Sequence, residues 1–311
     1  MSEHQQSAQF VHRVCPVCEQ QNARPFMGKG PLRLVQCRIC SMVYANPVEG
    51  DLASGRFYDR LSVPFYLSRD KLESDYATVR FERELRLFRA YCRQGEVLDV
   101  GCSTGAFLFQ LKTRFPGDYK VSGTDVAGAA LDYAESRGIE VIRQSFLECD
   151  FGDRTFEAAT FWAVMEHLIQ PGKFLGKAAA IVRPGGHCFI LVPNLNSLAE
   201  RLLGARYRYI MADHVNYFSA ETLRRFVAAE PAFEVVRLSQ SHFNPLVILK
   251  DFRRRSERVA EDERARLLKR TTALKQNLFL RPAKWAYSAV EQLLIATGLA
   301  DNLMMVLRKR A

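Results

Sequence analysis

Glu96-Val97-Leu98-Asp99-Val100 reads as a short apolar strand that runs without a break into Gly101-Cys102-Ser103-Thr104-Gly105. A helical pattern, Ala106–Arg114, follows at once. A strand that turns at glycine and restarts as a helix leaves free N–H donors at the helix N-terminus, and glycine lets the backbone approach a ligand. A second strand, Tyr119–Thr124, ends in Asp125, 20 residues past Gly105, an offset at which a carboxylate can bind a ribose diol. Before this unit Thr78–Cys92 reads as helical. After it come a helix at Leu131–Arg137, strands at Glu140–Arg143 and Ala158–Phe161, and a helix at Pro171–Val182. A turn at Arg183-Pro184-Gly185-Gly186 then leads into a strand at His187–Val192. This order predicts a doubly wound α/β domain with a Rossmann-like parallel sheet that binds ligands at the carboxyl ends of its strands.

The N-terminus carries a different constraint. Cys15-Pro16-Val17-Cys18 and Cys37-Arg38-Ile39-Cys40 are two C-x2-C pairs separated by 18 residues. Two such turns complete a tetrahedron of thiolates, so the spacing predicts a zinc ribbon over residues 11–47. Reduced surface thiols or redox pairs are the alternative. A segment this short cannot build a core alone, so the metal would supply its folding energy. Four thiolates leave no open position, which makes the site structural. Cys92, Cys102, Cys149 and Cys188 stand alone and read as buried thiols. Residues 48–77, with Tyr58, Tyr66 and Tyr76 along them, read as a linker, and 78–311 as one domain.

The later motifs carry a resemblance. Val97–Gly105 resembles the first motif of class I S-adenosylmethionine (SAM)-dependent methyltransferases, and Thr124-Asp125 is similar to their ribose-binding motif. Glu166-His167-Leu168-Ile169-Gln170-Pro171, Val182–Gly186 and Val192-Pro193-Asn194 resemble their later motifs, in the same order. Ser103 stands where these enzymes usually carry glycine, and the G-x-G-x-x-G of the competing dinucleotide-binding reading is missing. The resemblance covers roughly 78–242 and implies a seven-stranded sheet with SAM as cofactor. It also implies that Asp99 organises the loop and that Gly101, Cys102, Ser103 and Gly105 face the methionine end. Asp125 and Val126 would take the ribose, and Ser145 and Phe146 would flank the adenine. For Phe146 a plain core role is the alternative.

Methyl transfer needs in-line positioning, and a hydroxyl or carbon acid acceptor needs a base near neutral pH. Histidine suits that role. The candidates are His167, with Glu166 before it, and His214 in Asp213-His214-Val215-Asn216-Tyr217-Phe218-Ser219, where Tyr217 is a further candidate. Each has a structural alternative as a loop-holding residue. Quinone O-methyltransferases with a similar loop carry a magnesium-binding glutamate three residues before the Glu-His pair. That position is Ala163 in this chain, so no catalytic metal is expected. The Asp/Asn-Pro-Pro-Tyr motif of many DNA and protein amine methyltransferases is replaced by Phe161-Trp162-Ala163-Val164, which disfavours amine methylation.

Composition matters for the last fifth of the chain. The formal charge is +10, yet residues 243–311 hold 15 Lys+Arg against 7 Asp+Glu, and the rest is nearly balanced. Phe233–Leu238 and Asn302–Leu307 read as the last two strands, an antiparallel pair in the resembling fold. Residues 243–300 would then be a helical insertion between them. Asp251–Leu278 is highly charged with sparse apolar positions (Val259, Leu267, Leu274, Leu278), and Arg281–Leu299 is more apolar. A helical lid, a peripheral membrane contact through 251–299, and an RNA contact all fit such a segment. No stretch reaches the roughly 20 apolar residues of a membrane span, and Met1–Phe10 lacks the apolar run of a signal peptide. A cytoplasmic protein is therefore expected, with association at the inner membrane surface left open. The expected activity is methylation of a small-molecule or glycan-type acceptor, as in bacterial sugar, polysaccharide and natural-product pathways. Alternatives are an rRNA base methyltransferase and a non-catalytic SAM-fold binding protein. Nucleic acid is not needed to explain the nearly neutral body, and the oligomeric state is left open.

Overall fold

The structure is a computed structural model that describes residues 10–53, 55–253, 261–276 and 281–311. The chain opens with short strands β1 (Phe10–Val11), β2 (Ala23–Lys29), β3 (Leu32–Cys37), β4 (Val43–Ala45) and β5 (Val48–Glu49). Residues 48–77, expected to be a linker, instead form helices. These are α1 (Gly50–Ala53), α2 (Arg56–Leu61), a π-helical turn at Ser62–Tyr66, and α3 (Arg69–Asp75). Helix α4 (Glu82–Tyr91) then leads into the alternating unit β6 (Gly95–Val100), α5 (Ala106–Arg114), β7 (Tyr119–Thr124), α6 (Gly128–Ser136) and β8 (Glu140–Ile142). The second half runs β9 (Phe156–Trp162), α7 (Pro171–Ile181), β10 (Val182–Pro193), α8 (Leu198–Leu203), β11 (Asn216–Tyr217), α9 (Ala220–Ala228) and β12 (Phe233–Ser241). Helices α10 (Pro245–Arg253), α11 (Glu261–Gln276) and α12 (Arg281–Ala296) precede β13 (Asn302–Lys309). The expected helix 251–278 thus spans two helices, and Val259 and Leu278 lie outside the described residues.

Seven strands form the main sheet in the order β12-β13-β10-β9-β6-β7-β8. β6 pairs in parallel with β7 and β9, β7 with β8, and β9 with β10. β13 runs antiparallel to both β10 and β12. The period of two along each strand feeds two cores. Leu98, Ile190 and Met305 face one helix layer, and Val97, Phe189 and Met304 face the other. Strands buried on both faces read as continuous apolar runs, and each buried Val, Leu or Phe side chain contributes about 1.5–3 kcal/mol.

The expected turn at Arg183–Gly186 is a wide irregularity inside β10. Val182 pairs with Phe156 and His187 with Ala158, so four residues stand opposite Glu157 alone. A Cβ on Gly186 would lie 2.8 Å from the Glu157 carbonyl oxygen, which explains the glycine.

The N-terminal module is built into the body. β11, from the segment after His214, pairs with β4 and extends the small sheet β11-β4-β3-β2. Leu34, Val43 and Ala45 share a third core with Leu203, Val215, Tyr217, Val247 and Leu267. That core joins the module to α8, α10 and α11. Arg208 and Asp251 anchor α10 with a buried bidentate pair, in which guanidinium nitrogens stand 2.6 and 3.1 Å from the carboxylate.

Candidate active site and metal-binding cysteines

The two C-x2-C pairs fold into the same turn. In the first, Cys15 N–H donates to Gln20 O and Glu19 N–H to Cys15 O. In the second, Cys37 N–H donates to Met42 O and Ser41 N–H to Cys37 O. The residue after each second cysteine is left-handed, Glu19 at φ 57° and Ser41 at φ 63°. The sulfurs of Cys15, Cys18, Cys37 and Cys40 all lie within 4.8 Å of one another. Cys15 Sγ and Cys40 Sγ are 3.4 Å apart. Four sulfurs on zinc at about 2.3 Å stand under 4 Å apart, so this cluster fits a closed four-thiolate site for a structural zinc ion.

The turn after β6 is shaped by its neighbours. Gly101 has φ 73°, and a Cβ there would meet Val164 Cγ2 at 2.6 Å. Ser103 adopts φ 49°, the left-handed conformation that favours glycine at this position in the resembling enzymes. Its N–H donates to Asp125 Oδ2 at 2.8 Å, while Val126 and Ala127 N–H donate to Oδ1 at 2.7 and 3.0 Å. Asp125 therefore ties the loop after β6 to the loop after β7. Cys102 N–H donates to Thr124 O, and its side chain turns inward against Gly123, where a Cβ would lie 2.5 Å from the sulfur. Cys102 thus contributes backbone to the turn and its thiol to the core. Gly105 caps α5 at φ 73°. Asp99 is buried and accepts a 2.5 Å bond from Thr160 Oγ1. Burial, together with the nearby Asp125 charge, pushes the Asp99 carboxyl up to about 7.

Two sequence expectations change on the adenine side and in the His214 segment. Phe146 is buried and packs on Phe161 and Phe174, which makes it a core residue, while Ser145 lies half-exposed beside it. Tyr217 is also buried. Its hydroxyl accepts from Met211 N–H and donates to Met211 O, so it is spent on holding the loop.

The histidines converge although they stand 47 positions apart in the chain. The rings of His167 and His214 stand edge to face, with centroids 4.7 Å apart, and Tyr58 also packs edge to face with His167, centroids 5.7 Å apart. Glu166 joins them, with one ligand atom from each residue lying within 4.8 Å of the others. Burial holds both imidazoles below their ordinary range, so each is neutral at pH 7. Burial and Asp213 push the Glu166 carboxyl up to about 8. The cluster follows β9, neighbour of β6, at the carboxyl end of the sheet, and the Asp125 charge is felt at His167.

Three residues outside the expected set hold this cluster in place. Glu166 O accepts from the N–H of both Val215 and Asn216. Asn216 Nδ2 donates to Met165 O and Leu168 O at 2.8 and 2.7 Å. Arg13, two residues before the first cysteine, donates to Ile169 O, Val215 O and Asn216 Oδ1 at 2.9, 3.3 and 2.8 Å. Asn216 lies in the flagged Asp213–Ser219 segment. Arg13 has no sequence signal, since its partners, two backbone carbonyls and the Asn216 side chain, are distant in the chain. Arg264 of α11 stacks on Phe65 at 4.6 Å and places its charge near both histidines.

Comparison with known proteins fits this geometry. A family described as Methyltransferase domain matches residues 75–237. The chain is similar to ubiquinone biosynthesis O-methyltransferases. It is 29% identical to that of Aeromonas salmonicida over 48% of this chain and 67% of the relative. For Caulobacter vibrioides the values are 29%, 50% and 66%, and for Alkalilimnicola ehrlichii 32%, 36% and 47%. The chain thus spans between about half and two thirds of those relatives. In fold it is similar to a SAM-dependent methyltransferase of Thermotoga maritima, described as a possible histamine N-methyltransferase. That match has TM-score 0.53 and 16% identity over 82% of this chain and 99% of the other. A SAM-dependent methyltransferase of Archaeoglobus fulgidus matches with TM-score 0.50 and 17% identity over the same shares. With its sheet order, glycine turn and Asp125 in place, the chain belongs to the Methyltransferase domain family, as a class I SAM-dependent methyltransferase fold with a cysteine cluster suited to zinc.

Proposed function

We propose that this protein transfers the methyl group of SAM to a hydroxyl oxygen of a small-molecule acceptor. The acceptor would sit between the glycine turn and the Glu166–His167–His214 cluster. The observation that carries this reading is the cluster itself: two neutral imidazoles, His214 buried and His167 half-buried, beside the buried Glu166 carboxyl at the sheet edge where the glycine turn lies. Attack of the acceptor oxygen on the methyl carbon breaks the C–S bond, and S-adenosylhomocysteine leaves as a neutral thioether. The hydroxyl proton is drawn off at the cluster. The similarity to O-methyltransferases supports oxygen as the methylated atom.

Helix α11 supports a lid role for the insertion. Ser74 and Thr272 share a 2.8 Å hydrogen bond, and Lys269 pairs with Asp70 at 2.8 Å and with Glu73 at 2.6 Å. Leu267 enters the core that contains Tyr217. Helices α3 and α11 together would cover the acceptor side.

Labelled SAM offered with phenols, quinols and sugar alcohols tests this reading. Label should move to one hydroxyl class, and His214→Ala should lower kcat by about 10²–10⁴-fold. Transfer confined to amines, or unchanged kcat in His214→Ala, would remove the reading.

A further inference from the structure

We propose that the four-cysteine module is a clamp that positions the acceptor half of the active site, so that zinc occupancy controls methyl transfer while leaving the cofactor half intact. The catalytic consequence rests on the acceptor reading above, whereas the clamp rests on the geometry of the seam. A closed four-thiolate site has no open position, so the ion acts only through the chain it holds.

Three contacts run from the module to the loops that carry the histidines. The first is the small sheet. β4 begins three residues after Cys40 and pairs with β11, with Val43 opposite Tyr217 and Tyr44 opposite Asn216. Ala45 N–H extends the ladder to Val215 O at 2.9 Å. β11 is the edge strand of that sheet, so β4 fixes its register. The second contact is Arg13. Its backbone N–H donates to Asn46 Oδ1 at 3.1 Å, and its guanidinium reaches Ile169 O and Val215 O, one on each histidine loop. The third is Lys29 of β2, whose Nζ donates to Tyr207 O at 2.9 Å. Tyr207 packs on Tyr209, and Tyr209 stacks on His214 with ring centroids 6.0 Å apart. Behind the seam, Cys15, Cys37 and Cys40 share one core with Tyr44, Met165 and Phe218. Met165 precedes Glu166 and Phe218 follows Tyr217, so the cysteines and the histidine loops pack as one unit.

The cofactor half is held differently. Gly101 and Cys102 N–H donate to Thr124 O and Ser103 N–H to Asp125, which ties this half within β6, β7 and their loops. Val97, Leu108 and Val121 pack in the other core, on the opposite face of the main sheet from the cysteines. A module of about 40 residues takes its folding energy from its metal. Without zinc β4, Arg13 and Lys29 lose their footing. The bonds from Val215 and Asn216 N–H to Glu166 O then open, and His214 leaves His167.

Zinc-free full-length chain, prepared with EDTA and separately as the Cys37→Ser/Cys40→Ser variant, is compared with the zinc-loaded protein. SAM affinity should stay within about threefold, because the two halves share few contacts. Amide hydrogen exchange at Val215 and Asn216 should quicken at least about tenfold, while Gly101 and Cys102 keep their protection. Methyl transfer should fall about 100-fold and return when zinc is restored to the EDTA-treated chain. Unchanged exchange at Val215 and Asn216 in the zinc-free chain overturns the clamp. So does loss of SAM binding together with the seam, which would make zinc a support of the whole fold. Methyl transfer that persists after the segment has loosened overturns it as well. A loosened segment with no hydroxyl methylation even in the loaded protein keeps the clamp and removes the acceptor reading.

Discussion

Asp99 illustrates how single residues are tuned by the fold. It lies at the end of β6, buried, with Thr160 as its hydrogen-bond donor, and burial pushes its carboxyl from 3.8 up to about 7. Between those values the unfolded chain is ionised while the folded chain holds the proton. The folded state therefore binds more protons, and stability falls as pH rises from about 4 to about 7. Asp99→Asn removes this dependence and keeps an oxygen for Thr160. Chemical unfolding of the two proteins across pH should show their difference growing up to about pH 7 and flat above it. A parallel pH course in both proteins would contradict the buried protonated carboxyl. Ser103 marks the opposite case: its backbone works in a left-handed conformation that serine tolerates at a cost of about 1–2 kcal/mol.

At the scale of elements, the regular alternation was legible. Helix α5 and strand β7 fall on the expected residues, because period-two strands and a helix after a glycine turn leave strong patterns. The segment 48–77 was not legible as helix. Its helices are four to seven residues long and are held by tertiary contacts, such as Tyr76 Oη donating to Thr104 O at 2.5 Å. The meeting of His167 with His214 was equally hidden, since it depends on β11 joining β4 across the chain. The same contact gives an element-scale expectation for Arg13. Its guanidinium holds the Glu166 loop and the β11 segment together from inside the N-terminal module. Arg13→Ala should leave zinc content and SAM affinity intact while lowering kcat by at least about tenfold, because loosened positioning far from the chemistry is costly. Steady-state kinetics beside metal analysis checks this, and an unchanged kcat would contradict the coupling.

For the whole molecule, the basic surplus at the C-terminal end belongs to the insertion and the last strand. The insertion is tied to the body at both ends. Asn194 Nδ2 donates to Gly298 O and Ala300 O at 3.2 and 2.9 Å, and the Arg208–Asp251 pair holds α10. No helix among the described residues is long and apolar enough to cross a membrane. The body is a seven-stranded sheet whose carboxyl edge gathers the glycine turn, Asp125 and the Glu166–His167–His214 cluster. In the proposed function this edge binds the methyl donor. Calorimetric titration with SAM tests it most directly. The expected result is one site per chain, with affinity at least about tenfold weaker in folded Asp125→Ala, where the loop tie is lost together with the ribose contact we propose for this carboxylate. No binding by the wild type, or equal affinity in Asp125→Ala, would contradict it.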